Sequence, residues 1–339
     1  MAAPSREETA LSGQVQRLRE QLKTVTQLQS VVETIRALAE VNARRAQAVA
    51  RDVAQYARTV HLALHVVLRS LRREERWPSV PPEGKRAADQ PLIAIVVTSD
   101  QGLCGAFHQR VTDYARALLE REAPDKDRRG VITIGYRGLD KLRAAGERIV
   151  AHCDGAGSVE AMPAVVSQAL LALEEPLNRR EGVRILVVCN RPAPGGGFRE
   201  DHLQLYPFDV ARWMQLPDGE PPFRTIPRHD LPPRELLRLL AREQLFVDLW
   251  QALVDSFAAE NDARLRAMRA AADNIQERFV ELQAEYRRRR QEQVTQDLMD
   301  VMGGVEAAAA ARPRPMRAWA AALAELLGQG LPELNGCPR

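Results

Sequence analysis

Two long stretches without proline or glycine, one near each end of the chain, constrain the fold more than any other feature. Residues 14–77 and 234–302 contain 64 and 69 residues. A single helix of that length would extend about 100 Å, several times the length of an ordinary globular helix. Helical patterns this long are typical of coiled coils or helical arrays. We therefore expect two helices that fold back into an antiparallel pair, with an independent domain inserted between them.

Apolar residues in both stretches recur at the spacing of packed helices. The first stretch carries two apolar stripes, at residues 18–38 and 49–71, separated by a polar interruption at residues 40–45. The second stretch has a seam that alternates steps of three and four residues, as in a coiled coil. That seam runs through Leu265, Met268, Ala272, Ile275, Phe279, Leu282 and Tyr286. Beyond Tyr286 the residues are mostly polar, so this end of the helix must be solvated or enclosed by another protein.

The middle of the chain has the pattern of an α/β domain. Its apolar runs are typical of strands buried on both faces, and they alternate with helical patterns. The predicted strands are residues 92–98, 131–136, 148–153, 184–190 and 202–206, and the predicted helices are residues 108–122, 138–145 and 162–179. Such alternation predicts βαβ units and a mainly parallel, Rossmann-like sheet.

The predicted fold class is thus α/β plus a long coiled coil. An antiparallel two-helix coiled coil forms from the chain termini, and a parallel-sheet head is inserted between its helices. We predict a first long helix at residues 11–77, an α/β head at 91–230 and a second long helix at 232–303. Residues 304–339 form an extension rich in Ala, Pro and Arg, with a candidate short helix at 316–327.

Composition argues against several classes of protein. Aromatic residues make up only 5% of the chain, which suits long helices packed through Leu, Val and Ala. The formal net charge is +3, too small to indicate a nucleic-acid partner. The four cysteines lack disulfide or metal-ligand spacing and are expected to be reduced thiols. The first residues lack the apolar core of a secretory signal, and no stretch approaches the ~18 apolar residues that cross a bilayer.

The turn after the first predicted strand is where α/β proteins bind ligands. Its residues 98–105 lack the spacing of both common phosphate-binding loops, which favours a structural turn over a nucleotide site. Cys104 and His108 are one helical turn apart, but no third residue orients them as nucleophile and base. His61 and His65 share a helix face without a third zinc ligand. We therefore predict no catalytic, cofactor or metal site.

The strongest charged feature is the run of four arginines at residues 287–290. It lies where the coiled-coil seam ends, so it is either a solvated face or a contact with another macromolecule. A guanidinium offers a planar pair of donors to a carboxylate across a protein interface. A nucleic-acid contact at the same arginines would give salt-dependent binding of DNA or RNA.

Three stretches resemble the gamma subunit of the rotary, F-type ATP synthase. TSDQGLCGAF at residues 98–107 is similar to the family pattern S/T-D-R-G-L-C-G-G. AAENDARLRAMRAAADN at residues 258–274 is similar to A-S-E-x-x-A-R-M-x-A-M-x-x-A-T-D-N. YRRRRQEQVTQDL at residues 286–298 is similar to Y-N-x-x-R-Q-x-x-I-T-x-E-L. The last two agree in order and spacing without a gap.

The resemblance implies a non-catalytic subunit, the central rotor shaft of a membrane ATP synthase or ATPase. It implies that the paired helices enter a stator ring of alpha and beta subunits. The head would stand on the membrane rotor ring beside the epsilon subunit. The shaft would transmit torque between ion flow and nucleotide catalysis. The implied location is peripheral, on the cytoplasmic face of a bacterial cell membrane, with no cofactor, no nucleic acid and no direct membrane insertion.

Position by position, the resemblance also implies functional residues. Those implied for the rotor–stator contact are Arg290, Gln291, Thr295 and Asp297, and the one implied for the contact of the head with the ring is Asp230. Residues 30–38 depart from the family's basic motif K-I-T-K-A-M-x-M-V, with Ser30 and Glu33 in place of lysines. These departures and the added C-terminal residues indicate a divergent branch. The alternative is a coiled-coil scaffold or a nucleotide-regulated α/β protein unrelated to the synthase.

Overall fold

The computed structural model of the chain describes residues 6–73, 90–179, 182–214 and 229–311. In chain order, the elements are helix α1 (Arg6–Arg73), strand β1 (Leu92–Val97), helix α2 (Phe107–Glu122), strand β2 (Arg129–Ile134), helix α3 (Tyr136–Ala144), strand β3 (Ile149–Cys153), helix α4 (Met162–Leu171), helix α5 (Glu174–Arg179), strand β4 (Arg184–Pro192), strand β5 (Phe198–Tyr206), helix α6 (Val210–Met214) and helix α7 (Pro233–Ala311). Short 3-10 helices occur at Lys126–Arg128 and Val159–Ala161.

The chain divides into two compact units. One unit is Gln29–Asn274, which contains the sheet with the adjoining parts of α1 and α7. The other unit is Met1–Leu28 with Ile275–Arg339, which groups the beginning of α1 with the later part of α7. In that second unit Leu18 and Leu282 are both buried. The grouping of opposite ends of the two helices agrees with an antiparallel pair.

The sheet of the larger unit has five strands in the order β3-β2-β1-β4-β5. The strand β1 lies at its centre and pairs in parallel with β2 and β4, and β3 is parallel to β2. The edge strand β5 runs antiparallel to β4. This is the predicted Rossmann-like sheet, and the predicted fold class is confirmed.

Alternate residues of β1 belong to two different cores, because successive side chains of a strand point to opposite faces. Ile93 and Ile95 join the larger core, which includes residues of α1, α4 and α7. Leu92 and Ala94 join a smaller core with residues of α2. All six residues of β1 are buried, which explains the continuous apolar run in the sequence.

The larger core also joins the sheet to both long helices. The buried residues that α1 contributes to it recur at steps of seven and four and are Ala46, Val53, Val60, Leu64 and Leu68. The first half of α7 contributes another group, which includes Val247 and Leu253. Between the two helices the Tyr56 hydroxyl donates a hydrogen bond to the Glu243 carboxylate at 2.7 Å. The second half of α1 therefore packs with the first half of α7 in this unit.

Two helices differ from their expected extents. The helix expected at residues 162–179 is two helices, with a break at Ala172 and Leu173. The restart at Glu174 puts Pro176 in the first turn of α5, where its missing N–H costs least. The second long helix was expected to end at residue 303, but α7 continues through Gly303 and Gly304 to Ala311. Each glycine costs only about 1 kcal/mol in a helix, and the five alanines that follow are the strongest helix formers.

Several predictions lie outside the described residues. These are the end of the first long helix beyond residue 73 and the short helix at residues 316–327. The four predicted segment boundaries remain predictions. No helix within the described ranges has both the length and the apolar character needed to cross a bilayer.

Candidate interaction surfaces

The turn after β1 ties together the carboxyl ends of three parallel strands. The Asp100 carboxylate accepts hydrogen bonds from the backbone N–H groups of Tyr136, at 2.7 Å, and Gly155, at 2.9 Å. The Thr98 hydroxyl donates to the carbonyl oxygen of Ile134 at 2.8 Å and accepts from the N–H of Gly138 at 3.1 Å. The turn is therefore held by directional bonds to the segments after β2 and β3.

The same turn packs against α7, so two of the three stretches that carry the family resemblance are in contact. Arg264 Nε donates to the carbonyl oxygen of Gly102 at 3.2 Å, and the guanidinium pairs with Glu260 one helical turn earlier. Both side chains are buried. Burial raises the pKa of the Glu260 carboxyl, opposed by Arg264 and by a hydrogen bond from Ser99.

An apolar cluster surrounds this polar contact. Cys104 and Phe107 from the turn and α2 pack with Ala259 and Ala263 of α7, and Phe198 of β5 lies against them. Phe107 and Phe198 meet edge to face, with ring centroids 5.3 Å apart. The small alanine side chains allow the helix to approach the end of the sheet closely.

The close approach of α7 leaves little space where an α/β protein would hold a ligand. A cavity of about 20 Å³ lies there, lined by residues that include Thr98, Ser99, Ser256 and Glu260. That volume suits about one water molecule, whereas ligand pockets usually have ~300 Å³ or more. The contacts agree with the prediction that residues 98–105 form a structural turn.

Cys104 and His108 are close but not activated. The Cys104 Sγ lies 3.2 Å from His108 Nε2, which also lies 3.0 Å from the carbonyl oxygen of Gln101. Burial raises the pKa of the Cys104 thiol to about 11 and lowers the pKa of His108. At neutral pH the pair is therefore a neutral thiol beside a neutral imidazole, and a thiol is a poor nucleophile compared with a thiolate.

The four residues implied for the rotor–stator contact lie on one face of α7. Arg290 and Asp297 follow the spacing i, i+7, and Gln291 and Thr295 follow i, i+4 on the adjacent row. All four are exposed. The Thr295 hydroxyl donates to the backbone carbonyl of Gln291 at 2.9 Å. Within the described residues no ion pair engages Arg290, whereas the neighbouring Arg289 pairs with Glu292 at 3.1 Å.

Between residues 290 and 302, four exposed apolar side chains occupy the same two rows. Val294 and Val301 continue the row of Arg290, and Leu298 and Met302 continue the row of Gln291. Their side chains are 55% to 65% exposed. We define the tip face as the four polar residues above together with Val294, Leu298, Val301 and Met302. Sequence reasoning noted that the seam ends here, but it missed the regular apolar rows.

Asp230 is not part of the tip face. It is exposed and precedes α7 by three residues. The neighbouring His229 Nδ1 lies 2.9 Å from the carbonyl oxygen of Leu231. The segment before it, residues 215–228, is outside the described residues. Among the parts of the chain that the structure describes, no three His, Cys, Asp or Glu side chains are grouped to hold a metal ion.

The sequence of the chain matches a known protein family. The sequence pattern of the ATP synthase family matches residues 14–308 of this chain. This chain belongs to the ATP synthase family. The matched range includes most of both long helices and the whole head, and the ATP synthase resemblance seen in the three short stretches is confirmed.

The related sequences are gamma chains. The ATP synthase gamma chain of Anaeromyxobacter sp. (strain K) is 27% identical over 294 residues, covering 86% of this chain and 97% of that one. The ATP synthase gamma chain of Chlorobium phaeobacteroides is 28% identical over 303 residues, with the same coverage. This ATP synthase family member thus corresponds to nearly the whole of each relative and has additional residues of its own.

Solved structures of ATP synthases share the fold. A chain of the Euglena gracilis mitochondrial ATP synthase, from its OSCP/F1/c-ring structure, aligns with a TM-score of 0.55 and 16% identity, covering 97% of this chain and 100% of that chain. A chain from the rotor of the same synthase aligns with a TM-score of 0.50 and 17% identity, covering 84% of this chain and 99% of that chain. At such identities the likeness establishes the fold alone.

Proposed function

We propose that this chain is the central rotor shaft of a membrane ATP synthase or ATPase, the part that its relatives named gamma chains supply. The shaft transmits torque between ion flow through a membrane ring and nucleotide catalysis in a stator ring. The observation that carries this proposal is the tip face of α7, where exposed polar and apolar side chains lie in two adjacent helical rows. This helix belongs to a chain of the ATP synthase family. The chain is a non-catalytic subunit of the complex.

The tip face fits enclosure by other subunits. Each of its four apolar side chains would gain roughly 1 to 2 kcal/mol if a partner covered the exposed area. Arg290 has no ion-pair partner within the part of the chain that the structure describes, and its guanidinium suits a bidentate bond to a carboxylate of the covering partner. The proposed partners at this face are the alpha and beta subunits of the stator, and the proposed contact residues are Arg290, Gln291, Thr295 and Asp297.

The other end of the shaft is proposed to meet the membrane ring. The Euglena gracilis chain of similar fold comes from a structure that contains F1 and the c-ring. By this analogy the head stands on the membrane rotor ring beside an epsilon subunit, with Asp230 at the contact. The chain then associates peripherally with the membrane complex, and the side proposed is the cytoplasmic face of a bacterial membrane.

Torque transmission follows from the asymmetry of the tip face. A ring of stator subunits around one helix meets the tip face on one side and other residues on the opposite side. Each subunit therefore has a different interaction free energy with the shaft, which biases its conformational equilibrium differently. Rotation moves this bias from one subunit to the next, and nucleotide hydrolysis in the stator drives the same cycle in reverse.

The test is the double variant Arg290→Ala with Gln291→Ala in the assembled complex. We expect assembly and ATP hydrolysis to persist, while ATP-driven ion pumping falls about tenfold, because a lost charge-assisted bond is worth roughly 1.5 to 3 kcal/mol. The matched control is Arg289→Ala with Glu292→Ala, a paired set on the far side of the same turns. Normal pumping by the first variant, or an equal loss in the control, would contradict the assignment of these residues.

A further inference from the structure

Within the unit Gln29–Asn274, residues of α7 up to Ala258 pack in the larger core, and beyond that core two further kinds of contact join α7 to the head. One is the apolar cluster of Cys104, Phe107 and Phe198 with Ala259 and Ala263. The other is polar, and its central members are Arg264 and Glu260 of α7 with the Gly102 carbonyl of the turn. The two kinds of contact constrain the helix differently.

Beyond the larger core, apolar packing alone fixes the angle of α7 poorly. The hydrophobic effect is non-directional, and the alanines at the contact present a smooth surface with few side-chain atoms to interlock. A twist of about 20° in the part of α7 beyond the larger core would displace its surface atoms by about 2 Å, given a helix radius of 5 to 6 Å with side chains. Contacts through the short alanine side chains tolerate much of such a slip.

The Arg264 contact does not tolerate it. The bond from Nε to the Gly102 carbonyl is 3.2 Å long, so a displacement of about 2 Å would break it. Glu260 and Asn261 hold the other guanidinium nitrogens, with Asn261 Oδ1 at 3.2 Å from Nη1. The guanidinium is thereby fixed on the helix and aimed at the turn.

Stability is a weak reason for a buried ion pair. Desolvation offsets most of the attraction, and replacing both members by apolar residues of similar volume is often neutral or stabilising. Buried polar pairs are best attested as devices that fix register. A second polar link between head and α7, from Arg191 Nε to Asp255 Oδ2, is longer at 3.7 Å and restrains the helix less.

We propose that Arg264, held by Glu260, is a positioning residue that sets the angle at which α7 leaves the α/β head. This inference rests on the proposed rotor function, in which α7 transmits torque between the head and the stator ring. Through its bond to Gly102, Arg264 keeps that angle constant while the shaft carries load.

The first test measures the angle directly in the full-length chain. Spin labels are placed on the exposed positions Ala144 of α3 and Ala270 of α7, after Cys337→Ser to leave only the buried cysteines Cys104, Cys153 and Cys189. The distance distribution between the labels is recorded by pulsed electron paramagnetic resonance. We expect a narrow distribution in the parent chain.

The test variant is Glu260→Met with Arg264→Met, which removes both charges and keeps the volume. The matched control is Asp262→Met with Arg266→Met, an exposed ion pair at the same spacing on the same helix. We expect the test variant to broaden or shift the distribution by about 2 Å and the control to match the parent. An unchanged distribution in the folded test variant would overturn the proposal.

A second variant keeps the proposal testable if the first variant does not fold. Arg264→Lys keeps the positive charge beside Glu260 but lacks the planar fork that reaches both partners. Chemical denaturation establishes that each variant is folded before the distances are compared. A folded Arg264→Lys chain with the parent distribution would also count against the proposal.

The functional arm uses the complex assembled with alpha and beta subunits and the membrane ring. For the test variant we expect hydrolysis without an opposing ion gradient to stay near the parent rate. Ions pumped per ATP should fall at least twofold as the opposing gradient rises. A role in stability alone would not produce this load dependence, so its absence would overturn the proposal. If the parent chain itself fails to assemble or pump, the proposed rotor function is wrong, whatever Arg264 does.

Discussion

At the scale of single residues, charged side chains that the fold buries are satisfied by specific partners. Arg129 is 1% exposed and donates two hydrogen bonds to Glu147, at 3.0 Å from Nε and 2.7 Å from Nη2. Its Nη1 also reaches the Ala123 carbonyl oxygen at 3.3 Å. The arginine therefore joins the start of β2 to the segments after α2 and α3.

Removing one member of this pair should lower the free energy of unfolding substantially. Glu147→Ala leaves the Arg129 charge buried without its carboxylate, and breaking such a pair typically costs about 3 to 5 kcal/mol. Denaturant unfolding of the isolated chain would measure the loss. The control is Glu281→Ala, which removes the exposed partner of Arg278 at 2.9 Å and should cost about 1 kcal/mol or less. Equal losses in the two variants would show that burial does not control the effect.

Residue patterns also set the limit of what the sequence could predict about the candidate sites. The rotor–stator roles of Arg290, Gln291, Thr295 and Asp297 were inferred from the family resemblance and remain predictions. Helical periodicity shows only that the four side chains share one face of α7. The contact of Arg264 with Gly102 joins residues 162 positions apart, and no local pattern encodes it. The spacing of Glu260 and Arg264 was visible, but only the fold brings the turn against them.

At the scale of elements, the junction between β2 and α3 depends on close backbone approach. Gly135 has a φ of +91°, and a Cβ there would lie 2.6 Å from the Ser99 backbone nitrogen. The carboxyl ends of β1 and β2 can therefore approach each other only when this position has no side chain. The turn that contacts α7 follows directly from that approach.

Gly135→Ala should consequently destabilise the head more than an ordinary glycine substitution does. A positive φ costs an alanine about 1 to 2 kcal/mol, and a clash with backbone adds about 1 to 3 kcal/mol. Gly146→Ala is the control, because its φ is +76° and nothing lies within 4 Å of the added Cβ. Thermal unfolding of both variants would test the difference. If Gly146→Ala were the more damaging change, the close approach at Gly135 would not be the cause.

Element boundaries were predicted well where the period of the apolar pattern was clear. The buried strands β1 and β4 read as continuous apolar runs, and both were predicted within two residues of their observed ends. The start of β5 at Phe198 was missed, because its first residues pair with β4 at an edge and have no apolar alternation. The break between α4 and α5 was also missed, since apolar residues continue through Ala172 and Leu173. Tertiary packing, not local pattern, decides these cases.

At the scale of the whole molecule, two observations indicate that the chain binds partner proteins. They are the family match over residues 14–308 and the exposed apolar side chains on α7. An isolated chain has to keep the tip face in water, although its four apolar side chains are each more than half exposed. Soluble monomers seldom keep such rows without a binding function. The tip face should therefore matter for assembly and not for the folding of the isolated chain.

Replacing Val294, Leu298 and Val301 by serine tests this separation between folding and assembly. The isolated triple variant should unfold within about 0.5 kcal/mol of the parent, the usual range for surface substitutions, since these side chains contact solvent. Assembly with alpha and beta subunits should weaken at least tenfold, because each lost apolar contact is worth roughly 1 kcal/mol or more when a partner covers it. Thermal unfolding and titration of the stator subunits measure the two quantities. The control is Gln276→Ser, Arg278→Ser and Glu281→Ser, three polar positions that are also exposed on α7 but outside the tip face. If the triple variant lost stability yet assembled normally, these residues would stabilise the chain's own fold. The stator would then have to contact the shaft through other residues.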